Sequence, residues 1–594
     1  MGLMQCACET YDRHQNYVGK YEEGKEPLAP ISHIVTSAQI EITINQTGEF
    51  IQAIVLDKKE PKIIIPVTEE SAGRTSAPIA HPLCDQIQYL SPAFGEKYTL
   101  FVNQLKEWET SEYSHPMISA VLNYVMKGEI IEDLRREKCI ELSDKGLPKN
   151  PKLMVRWRVV GLGEESGACW KNRKLFALYS EYALSKKEKE TKQLCMITGK
   201  YAGISKQHPK GIVSLYGNAK LISANDNSGF TYRGRFSEDW QAETISYEAS
   251  QKAHLALKWL AANQGVYFGG RCFLCWNPEG VLLPEISRSL RRFNGLEPVL
   301  VVNASQYKED LQKCLKGWKD SLPAHGTKAV IAAFDAATTG RLSLTYFREL
   351  DASDFEQRLY DWEYHCAWFN GKYGVQSPSV FEIVKCAYGT ERSERNQDTI
   401  AVDDRILKQQ VQNLISCRID GARIPLDLKN YLTERASSPQ KYHSKNNYLR
   451  VLHTACAVIR KYYHDYKGRE IDMALNPMEK DRSYQFGRLL AVMEKAERDT
   501  YGSEESREPN AIRMQSVFTQ RPLSIANQLQ GMLDRAYFPR LKPASRSYYR
   551  KLLSQIVEQI SLFEMNEINK PLSEMYLIGY YLQRNDLYTK KEEN

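Results

Sequence analysis

The sequence predicts an α+β multidomain protein, with a mixed α/β N-terminal region that contains β-hairpins and an all-α helical bundle at the C-terminus. Its 594 residues exceed the length that one hydrophobic core usually holds. Alternating apolar residues are frequent early in the chain, whereas helical spacing prevails after about residue 400. We therefore expect three regions, residues 1–150, 151–400 and 401–594.

The N-terminal region has the spacing of β-strands. Ile40, Ile42 and Ile44 alternate with polar residues, which is the period of a half-buried strand. Turn residues at 46–48 separate this run from a second apolar run over 50–56, and the two runs predict a hairpin. Further strands are predicted over 62–67, 153–160, 299–303 and 329–334.

The C-terminal third has the spacing of helices. Apolar residues recur three and four positions apart over 407–415, 486–493 and 553–563. Prolines and glycines, such as Pro522 and Pro543, separate these segments. Several helices with short connections favour a bundle.

The positive charge is concentrated in one segment. The net charge is +7, and residues 401–470 contain 13 Lys and Arg against 7 Asp and Glu. A local basic region favours contacts with phosphate through counterion release. A solvated helix surface is the alternative interpretation.

No complete catalytic motif is present in the sequence. Gly19 and Gly24-Lys25 have the spacing of a phosphate-binding loop, but Glu26 stands where the metal-binding hydroxyl should be. His464-Asp465 forms a His-Asp dipeptide without a convincing set of further metal ligands. We therefore expect a protein that is not an enzyme.

No cofactor or metal is expected either. Cys272 and Cys275 form the single Cys-x-x-Cys pair among 13 cysteines, and a zinc site normally needs four ligands. The alternative function is a metal-dependent nuclease built on scattered aspartates. Those aspartates are Asp335, Asp351, Asp354 and Asp361.

Three polar segments have the composition of nucleic-acid contacts. Residues 231–236 alternate aromatic rings with arginines, which suits stacking on bases and contact with phosphate. Residues 250–259 place His254 and Lys258 on one helix face. Residues 74–76 offer a guanidinium and two hydroxyls in a loop, and these groups suit contacts in a DNA groove. A core strand, a solvated helix and a capping turn are the respective alternatives.

Longer segments, read in order, resemble a known family. They include CMITGK at 195–200, HPKGI at 208–212, KLISANDNSGFTYRGRF at 220–236, SYEASQKAHLALKWL at 246–260 and FDAATTGRLSLTYFREL at 334–350. They continue with CRIDGARIP at 417–425 and further segments at 482–502, 511–522 and 571–590. This series is similar to the Csd-type large subunit of the type I-C CRISPR surveillance complex, Cascade.

The resemblance implies a division of labour in antiviral defence. A guide RNA reads the target by base pairing, while the large subunit reads a short flanking motif, the PAM, in duplex DNA. The N-terminal region is then the PAM-reading region, and the subunit helps to part the strands. Our candidate nucleic-acid-binding residues are Arg74, Thr75, Ser76, Arg233, Arg235, Lys252, His254, Lys258, Arg418, Arg423, Arg482 and Arg488.

The resemblance also implies the binding partners. They are the CRISPR guide RNA, the target double-stranded DNA, the backbone, guide-handle-binding and small subunits of Cascade, and a helicase-nuclease effector that performs the cleavage. We expect a cytoplasmic protein without a membrane segment, because the sequence has neither a secretory leader nor an apolar run of about 18 residues. A scaffold that contacts only proteins is a further alternative.

The C-terminal bundle has a second implied use. Systems that look like type I-C obtain their small subunit by translation that starts inside the large-subunit gene. Met473 and Met478 precede the bundle segments, and either start leaves a chain of about 120 residues. The bundle is also expected to line the path of the displaced strand. Candidate phosphate contacts there are Arg482, Arg488, Arg498 and Arg513, two of which are alternatively salt bridges with Glu494 and Glu497.

Overall fold

The computed structural model divides the chain into two compact units. It describes residues 2–588 apart from 58, 61, 75–76, 164–166, 224–240, 282, 285, 288–302, 320–326, 371–373, 395–396, 503–504 and 506. The first unit comprises Met1–Leu283 and Thr327–Leu350, and the second comprises Pro284–Gly326 and Asp351–Asn594. The boundaries expected at residues 150 and 400 stay a prediction.

The first unit mixes helices and short strands. Its helices are α1 (Leu3–Arg13), α2 (Glu69–Gly73), α3 (Ile87–Leu90), α4 (Glu96–Glu109), α5 (Pro116–Lys127), α6 (Ile130–Arg136), α7 (Arg173–Glu188) and α8 (Tyr247–Gln264). Its strands are β1 (His33–Thr36), β2 (Ile40–Asn45), β3 (Phe50–Val55), β4 (Ile63–Pro66), β5 (Val155–Val160), β6 (Lys192–Leu194), β7 (Tyr201–Gly203), β8 (Val266–Phe268), β9 (Arg271–Trp276), β10 (Lys328–Thr338) and β11 (Arg341–Asp351).

The predicted hairpin is formed by β2 and β3. These strands pair antiparallel, and β5 pairs parallel to β2 on its other side. Gly48 in the turn has φ +84°, and a Cβ there would lie 2.6 Å from the carbonyl oxygen of Ala120. The turn therefore requires glycine for its backbone conformation and for the close approach of α5.

The central strand β2 is buried on both faces, whereas its alternation predicted a half-buried strand. Glu41 lies opposite Arg156 in the register and accepts hydrogen bonds from it at 2.6 and 2.8 Å. Arg158 donates to the other oxygen of Glu41 at 2.6 Å, and both guanidinium groups lie over the Trp170 ring. The pairing satisfies the buried carboxylate, and it occupies the two arginines inside the unit.

Two hydrophobic cores lie within the first unit. One core packs the β3-β2-β5 sheet against α4, α5 and α7, and it contains Trp108 and Trp157. The other packs α1 and α8 against the sheet ordered β11-β10-β9-β8. Apolar residues on β9 and β10, among them Leu274 and Phe334, are fully buried there.

The second unit is mainly helical. Its helices are α9 (Ala304–Lys319), α10 (Ala352–His365), α11 (Val380–Tyr388), α12 (Asp404–Asp420), α13 (Leu426–Ala436), α14 (Lys445–Tyr462), α15 (Arg482–Arg498), α16 (Asn510–Arg513), α17 (Gln515–Gln520), α18 (Pro522–Met532), α19 (Pro543–Ser561), α20 (Met565–Ile568) and α21 (Met575–Tyr588). Two small hairpins join β12 (Trp368–Phe369) to β13 (Val375–Gln376) and β14 (Thr390–Glu394) to β15 (Gln397–Ala401).

The predicted α+β fold class is confirmed. The N-terminal strands and the helices α12, α15 and α19 occur where the spacing of apolar residues placed them. Residues 299–302 of one expected strand lie outside the described part of the chain. Among the described helices, none combines the length and apolar character needed to cross a membrane.

Helices α15 and α21 make a reciprocal glycine contact. A Cβ on Gly487 would lie 2.0 Å from the carbonyl oxygen of Tyr576. A Cβ on Gly579 would lie 2.1 Å from the carbonyl oxygen of Tyr484. The contact therefore joins the two helices backbone to backbone, and only glycine fits on each side.

We predict that Gly487→Ala destabilises the protein. In an open helix this change stabilises by about 1 kcal/mol, but overpacking against the Tyr576 backbone costs roughly 1–3 kcal/mol or more. Gly531→Ala in α18 is the matched control, because its Cβ would meet only side-chain atoms of Arg535. Chemical denaturation should show Gly487→Ala as less stable and Gly531→Ala as equal to or more stable than wild type. Equal stability of all three proteins would contradict the contact.

Candidate nucleic-acid interface

Four of the predicted nucleic-acid-binding residues lie outside the described part of the chain. They are Thr75, Ser76, Arg233 and Arg235. The described residues that flank these segments, at 74, 77, 223 and 241, belong to the first unit. The prediction for all four therefore stays a prediction.

Arg74 forms a nearly buried ion pair. Its two terminal nitrogens donate to the two oxygens of Asp85 at 2.8 and 2.5 Å, and one of them also donates to the carbonyl oxygen of Ile79 at 2.7 Å. The guanidinium lies over the Tyr89 ring, 4.6 Å from its centroid. This arrangement holds the side chain of Arg74 in place and uses most of its donors.

Three predicted arginines of the second unit have partners inside the protein. Arg418 is buried and pairs with Glu363 at 2.8 Å. Arg482 donates to three backbone carbonyls at 2.8–3.0 Å. Arg488 is buried and donates to two side-chain amides and one carbonyl at 2.8–3.0 Å. The expected salt bridge to Glu494 is formed by Arg498, at 3.3 Å.

Lys252 and Arg423, two of the predicted contact residues, differ in whether they already have an ion pair within the protein. Lys252 on α8 is held by Asp12 at 2.8 Å and by Glu248 at 2.7 Å. Arg423 is exposed, and its guanidinium lies 5.1 Å from the centroid of the Tyr466 ring. Its guanidinium has no ion pair with any described residue, so its charge is available to an external anion.

Three half-buried lysines of the first unit lack anionic partners, and we name them the lysine cluster: Lys210, Lys220 and Lys258. Burial lowers the pKa of Lys210. Burial, and then the charge of Lys210, lowers the pKa of Lys220, while the charge of Glu69 opposes this shift. Burial also lowers the pKa of Lys258. The charge of Glu26 opposes this shift, and the charges of Lys62 and Lys210 lower the pKa further. Within the described residues, none of the three ammonium groups has an ion pair. An external anion would therefore relieve their mutual repulsion.

A buried carboxylate positions the segment that carries Lys210. Thr68 caps α2, and Glu69 in the first turn of that helix is buried. One oxygen of Glu69 accepts hydrogen bonds from the hydroxyl of Ser205 and from the amides of Lys206 and Gln207, at 2.5–2.7 Å. The other oxygen pairs with Lys187 at 2.7 Å. Because both oxygens are in use, Glu69 orders the chain before Lys210 without pairing with the lysine cluster.

A buried histidine pair joins this segment to α8. His208 contacts the hydroxyl of Ser250 at 2.8 Å through Nδ1 and Glu243 at 2.9 Å through Nε2. His254, one of the predicted residues, donates from Nδ1 to the carbonyl oxygen of Ser250 at 2.7 Å and stacks on His208. Burial, followed by the charge of His208, lowers the pKa of His254 to about 3. His254 is therefore neutral, and its buried Nε2 has no partner among the described residues.

The backbone of Lys220 is fixed by two neighbouring segments. Gly211 adopts φ +73° and donates to the carbonyl oxygen of Ala219 at 3.0 Å, which brings Lys210 and Lys220 opposite each other. On its other side, Lys220 pairs with the turn between β10 and β11, where Arg341 is exposed. Cationic side chains from three segments are thus held on ordered backbone.

Arg74 and Lys210 of the lysine cluster both lie near His81. Burial, and then the charges of Arg74 and Lys210, lower the pKa of that histidine. Residues 224–240, which contain Arg233 and Arg235, follow Lys220 closely in sequence. Sequence reasoning selected His254 and Lys258 but missed Lys210 and Lys220. Both missed lysines lie in the segments that carry the family resemblance, which was the available signal.

The side chains considered for catalysis or metal binding mostly have partners within the protein or point apart. In the His-Asp dipeptide, Asp465 accepts from Lys461 and from the amide of Ile424, whereas His464 pairs with Glu470. Asp335 pairs with Arg271 at 3.1 Å. Cys272 and Cys275 are three residues apart on β9, so their side chains point to opposite faces.

One group in the described residues has metal-ligand atoms within 4.8 Å of one another: His365, His464 and Glu470. The two imidazole rings are stacked, with centroids 3.6 Å apart and planes at 14°. Two parallel rings cannot both direct in-plane lone pairs at one ion, so this group does not fit a metal without rearrangement. None of the four aspartates considered for a nuclease belongs to it.

The comparison with protein families identifies the chain. The family model described as CRISPR-associated protein (Cas_Csd1) matches residues 8–588. The chain therefore belongs to the Csd1 family of CRISPR-associated proteins. The resemblance to the Csd-type large subunit of Cascade is thereby confirmed. A comparison with curated proteins finds no match.

We predict that Lys220→Met raises the stability of the isolated protein by about 0.5–2 kcal/mol, because it removes a partly buried cation that has no ion pair and whose pKa is lowered on balance. The difference from wild type should narrow as pH rises towards the usual lysine pKa of 10.5. In that window the unfolded wild-type chain binds more protons than the folded chain, so wild type gains stability with pH. Chemical denaturation across this pH range measures both effects.

The matched control for this prediction is Lys187→Met. This lysine is paired with Glu69 and Glu190 at 2.7 and 3.0 Å. Removing it leaves Glu69 buried without its counter-charge, so stability should fall by about 3 kcal/mol. A loss of stability in Lys220→Met similar to that in Lys187→Met would contradict the unpaired state of the lysine cluster.

Proposed function

We propose that this chain is the non-catalytic large subunit of a type I-C Cascade and that it recognises the PAM in duplex DNA. In this proposal it helps to open the duplex for pairing with the guide RNA and then supports recruitment of a helicase-nuclease. Membership of the Csd1 family supports a role in a CRISPR complex. The lysine cluster is the structural observation that carries the DNA-binding part of the proposal.

The lysine cluster suits the phosphate backbone of DNA. Cations whose pKa is lowered by burial and by one another gain most when a phosphate enters, because the anion relieves both costs. The backbone of Lys220 is fixed by hydrogen bonds on both sides, so little order has to be created on binding. We therefore propose that the lysine cluster holds phosphates and fixes the register of the duplex.

We assign base reading and strand opening to residues 75–76 and 224–240. The first of these segments follows Arg74 in sequence, and the ion pair with Asp85 holds Arg74 in place. The 224–240 segment follows Lys220 and supplies aromatic rings and arginines for unpaired bases. In this division Arg74 positions the loop, whereas the neighbouring hydroxyls and arginines contact the DNA. Because strand exchange is nearly balanced in energy, modest contacts of this kind can decide whether it begins.

The proposed role as a Cascade subunit also implies further binding partners. We propose that the chain assembles with the guide RNA, the backbone, guide-handle-binding and small subunits, in the cytoplasm. Cleavage by a separate effector is consistent with aspartates that do not converge on a metal group among the described residues. In the second unit, exposed Arg423 and Arg513 are the candidates for contacts with the displaced strand, since Arg482 and Arg488 are engaged inside the bundle.

The proposal predicts that PAM discrimination requires this chain. Guide-loaded complex, with and without the chain, is titrated with duplexes that differ only in the flanking motif, at several salt concentrations. With the chain present, Lys220→Gln and Lys258→Gln should weaken binding to all motifs alike. Each lost phosphate contact should reduce the slope of log K against log salt by about 0.9.

The control is Lys252→Gln, which lies on the same helix as Lys258 but is paired with Asp12 and Glu248. It should change the salt slope little. If discrimination persists without the chain, recognition lies elsewhere and the chain is a scaffold. If Lys220→Gln and Lys258→Gln bind DNA like wild type, the lysine cluster is not the phosphate site. DNA cleavage that needs Mg²⁺ and is lost in Asp335→Asn would favour a nuclease instead.

The C-terminal bundle supports a second proposal, translation of a separate small subunit from an internal start. Met473 is buried and Met478 is exposed, and both precede α15, whose N-cap is Asp481. Helices α15 and α21, with their reciprocal glycine contact, lie wholly after both methionines. A chain of about 120 residues that begins there therefore retains this contact and has the size of a compact domain.

We predict a shorter C-terminal product from the intact gene. A C-terminal tag should reveal two bands, and Met473→Leu or Met478→Leu should remove the shorter one. Exchanging methionine for leucine keeps the volume of the side chain and should cost less than about 1.5 kcal/mol, so the full-length chain serves as the internal control. A single full-length band from the unaltered gene would contradict the internal start.

A further inference from the structure

A cavity of about 350 Å³ opens in the first unit beside the start of the chain. Its wall combines the end of α1 with the loop that follows it, the second half of α8 and the end of β9. The lining residues include His14, Tyr17, Lys20, Lys25, Trp259 and Asn263. The size is that of a small-ligand site rather than of a packing defect.

Three aromatic rings lie together at this cavity. The centroid of the Trp259 ring is 5.3 Å from that of His14 and 6.2 Å from that of Tyr17, with tilted planes. Tyr17 is 36% exposed, so part of its ring is accessible, and the ammonium of Lys20 lies 5.8 Å from the ring centroid. A flat, unpaired base gains from stacking on such a surface whatever its identity.

Polar groups at the cavity can bind the edge of a base. His14 donates from Nδ1 to the carbonyl oxygen of Thr10 at 2.7 Å, which leaves Nε2 for a hydrogen bond with another group. Nε2 faces Gly280, where a Cβ would approach it to 2.7 Å. The indole N–H of Trp259 has no hydrogen bond to any described residue, which leaves a donor for a base. Glycine thus keeps one wall of the cavity open at the histidine.

Helix α8 and Glu26 connect the cavity to Lys258 of the lysine cluster, although none of the three lysines lines the cavity. Lys258 and Trp259 are consecutive residues of that helix. Glu26 lines the cavity, pairs with Lys62 at 2.6 Å and acts electrostatically on Lys258. Lys20 and Lys25 also line the cavity, and both pair with Glu22 there, at 3.9 and 2.9 Å. A strand whose phosphate is held at Lys258 therefore has an aromatic cavity within reach of its next base.

We propose that this cavity captures one unpaired base of the target DNA next to the flanking motif, when the duplex opens. The inference rests on the proposed function and adds a site to it. Holding an extruded base in an aromatic cavity opposes reannealing, because the base would have to leave its stacking partners before pairing again. In this arrangement the lysine cluster binds the DNA backbone, and the cavity stabilises the opened duplex.

The test is photochemical crosslinking in the assembled complex. A single 5-iododeoxyuridine is placed in turn at positions beside the flanking motif, in either DNA strand, and the crosslinked residue is mapped by mass spectrometry. One DNA position should crosslink to Tyr17 or Trp259. Tyr17→Ser should abolish crosslinking to residue 17 and lower affinity for a duplex already unpaired at that position about tenfold. Tyr17→Phe should retain that affinity.

The control variant is Tyr201→Ser, which removes an exposed ring elsewhere in the same unit and should leave crosslinking and affinity unchanged. Crosslinks from the DNA only to other residues, in a complex that still discriminates flanking motifs, would overturn the cavity assignment alone. Crosslinking of Tyr17 or Trp259 only to 5-iodouridine placed in the guide RNA would overturn the DNA assignment. If the wild-type complex fails to discriminate flanking motifs, the proposed function and this inference fall together.

Discussion

The surface of the first unit depends on the buried carboxylate of Glu69. One of its oxygens accepts three hydrogen bonds from residues 205–207, and the other pairs with Lys187. A buried carboxylate is stable only when it is satisfied in this way. Since these contacts use both oxygens, the carboxylate orders the loop before Lys210 and forms no ion pair with the lysine cluster, although its charge partly offsets that of Lys220. Order and unbalanced charge at one surface are the conditions that phosphate binding requires.

The spacing of apolar residues predicted much of the fold but not its polar interior. Helices such as α12 and α15 were visible because each buries a stripe of regularly spaced residues. The burial of Glu41 was not predictable from β2 alone, because its stabilising partner Arg156 lies far along the chain on β5. Gly487 looks like a defect inside a helical pattern, and its reason becomes visible only when α21 is packed against it.

The candidate nucleic-acid interface was likewise predictable only in part. His254 and Lys258 were selected from their helical spacing, and the structure brings them into the neighbourhood of Lys210 and Lys220. What distinguishes the lysine cluster is the lack of anionic partners among the described residues, which is a property of three dimensions and leaves no local pattern. Arg488 is a predicted contact residue that proves to be buried. Its amide and carbonyl partners come from separate parts of the bundle, so its burial was not visible in the sequence. The sequence pattern of a helix does not distinguish an arginine that faces phosphate from one that faces the protein interior.

The reciprocal contact of Gly487 and Gly579 has a consequence at the level of the gene. Both codons lie downstream of Met473 and Met478. If the reading frame produces two polypeptides, one nucleotide change at either glycine impairs both products in a single event. The large subunit could not then drift in its last helices without altering its smaller companion. Variation should accordingly concentrate on the exposed faces of these helices, and the backbone contact between α15 and α21 should be among the slowest parts of the sequence to change.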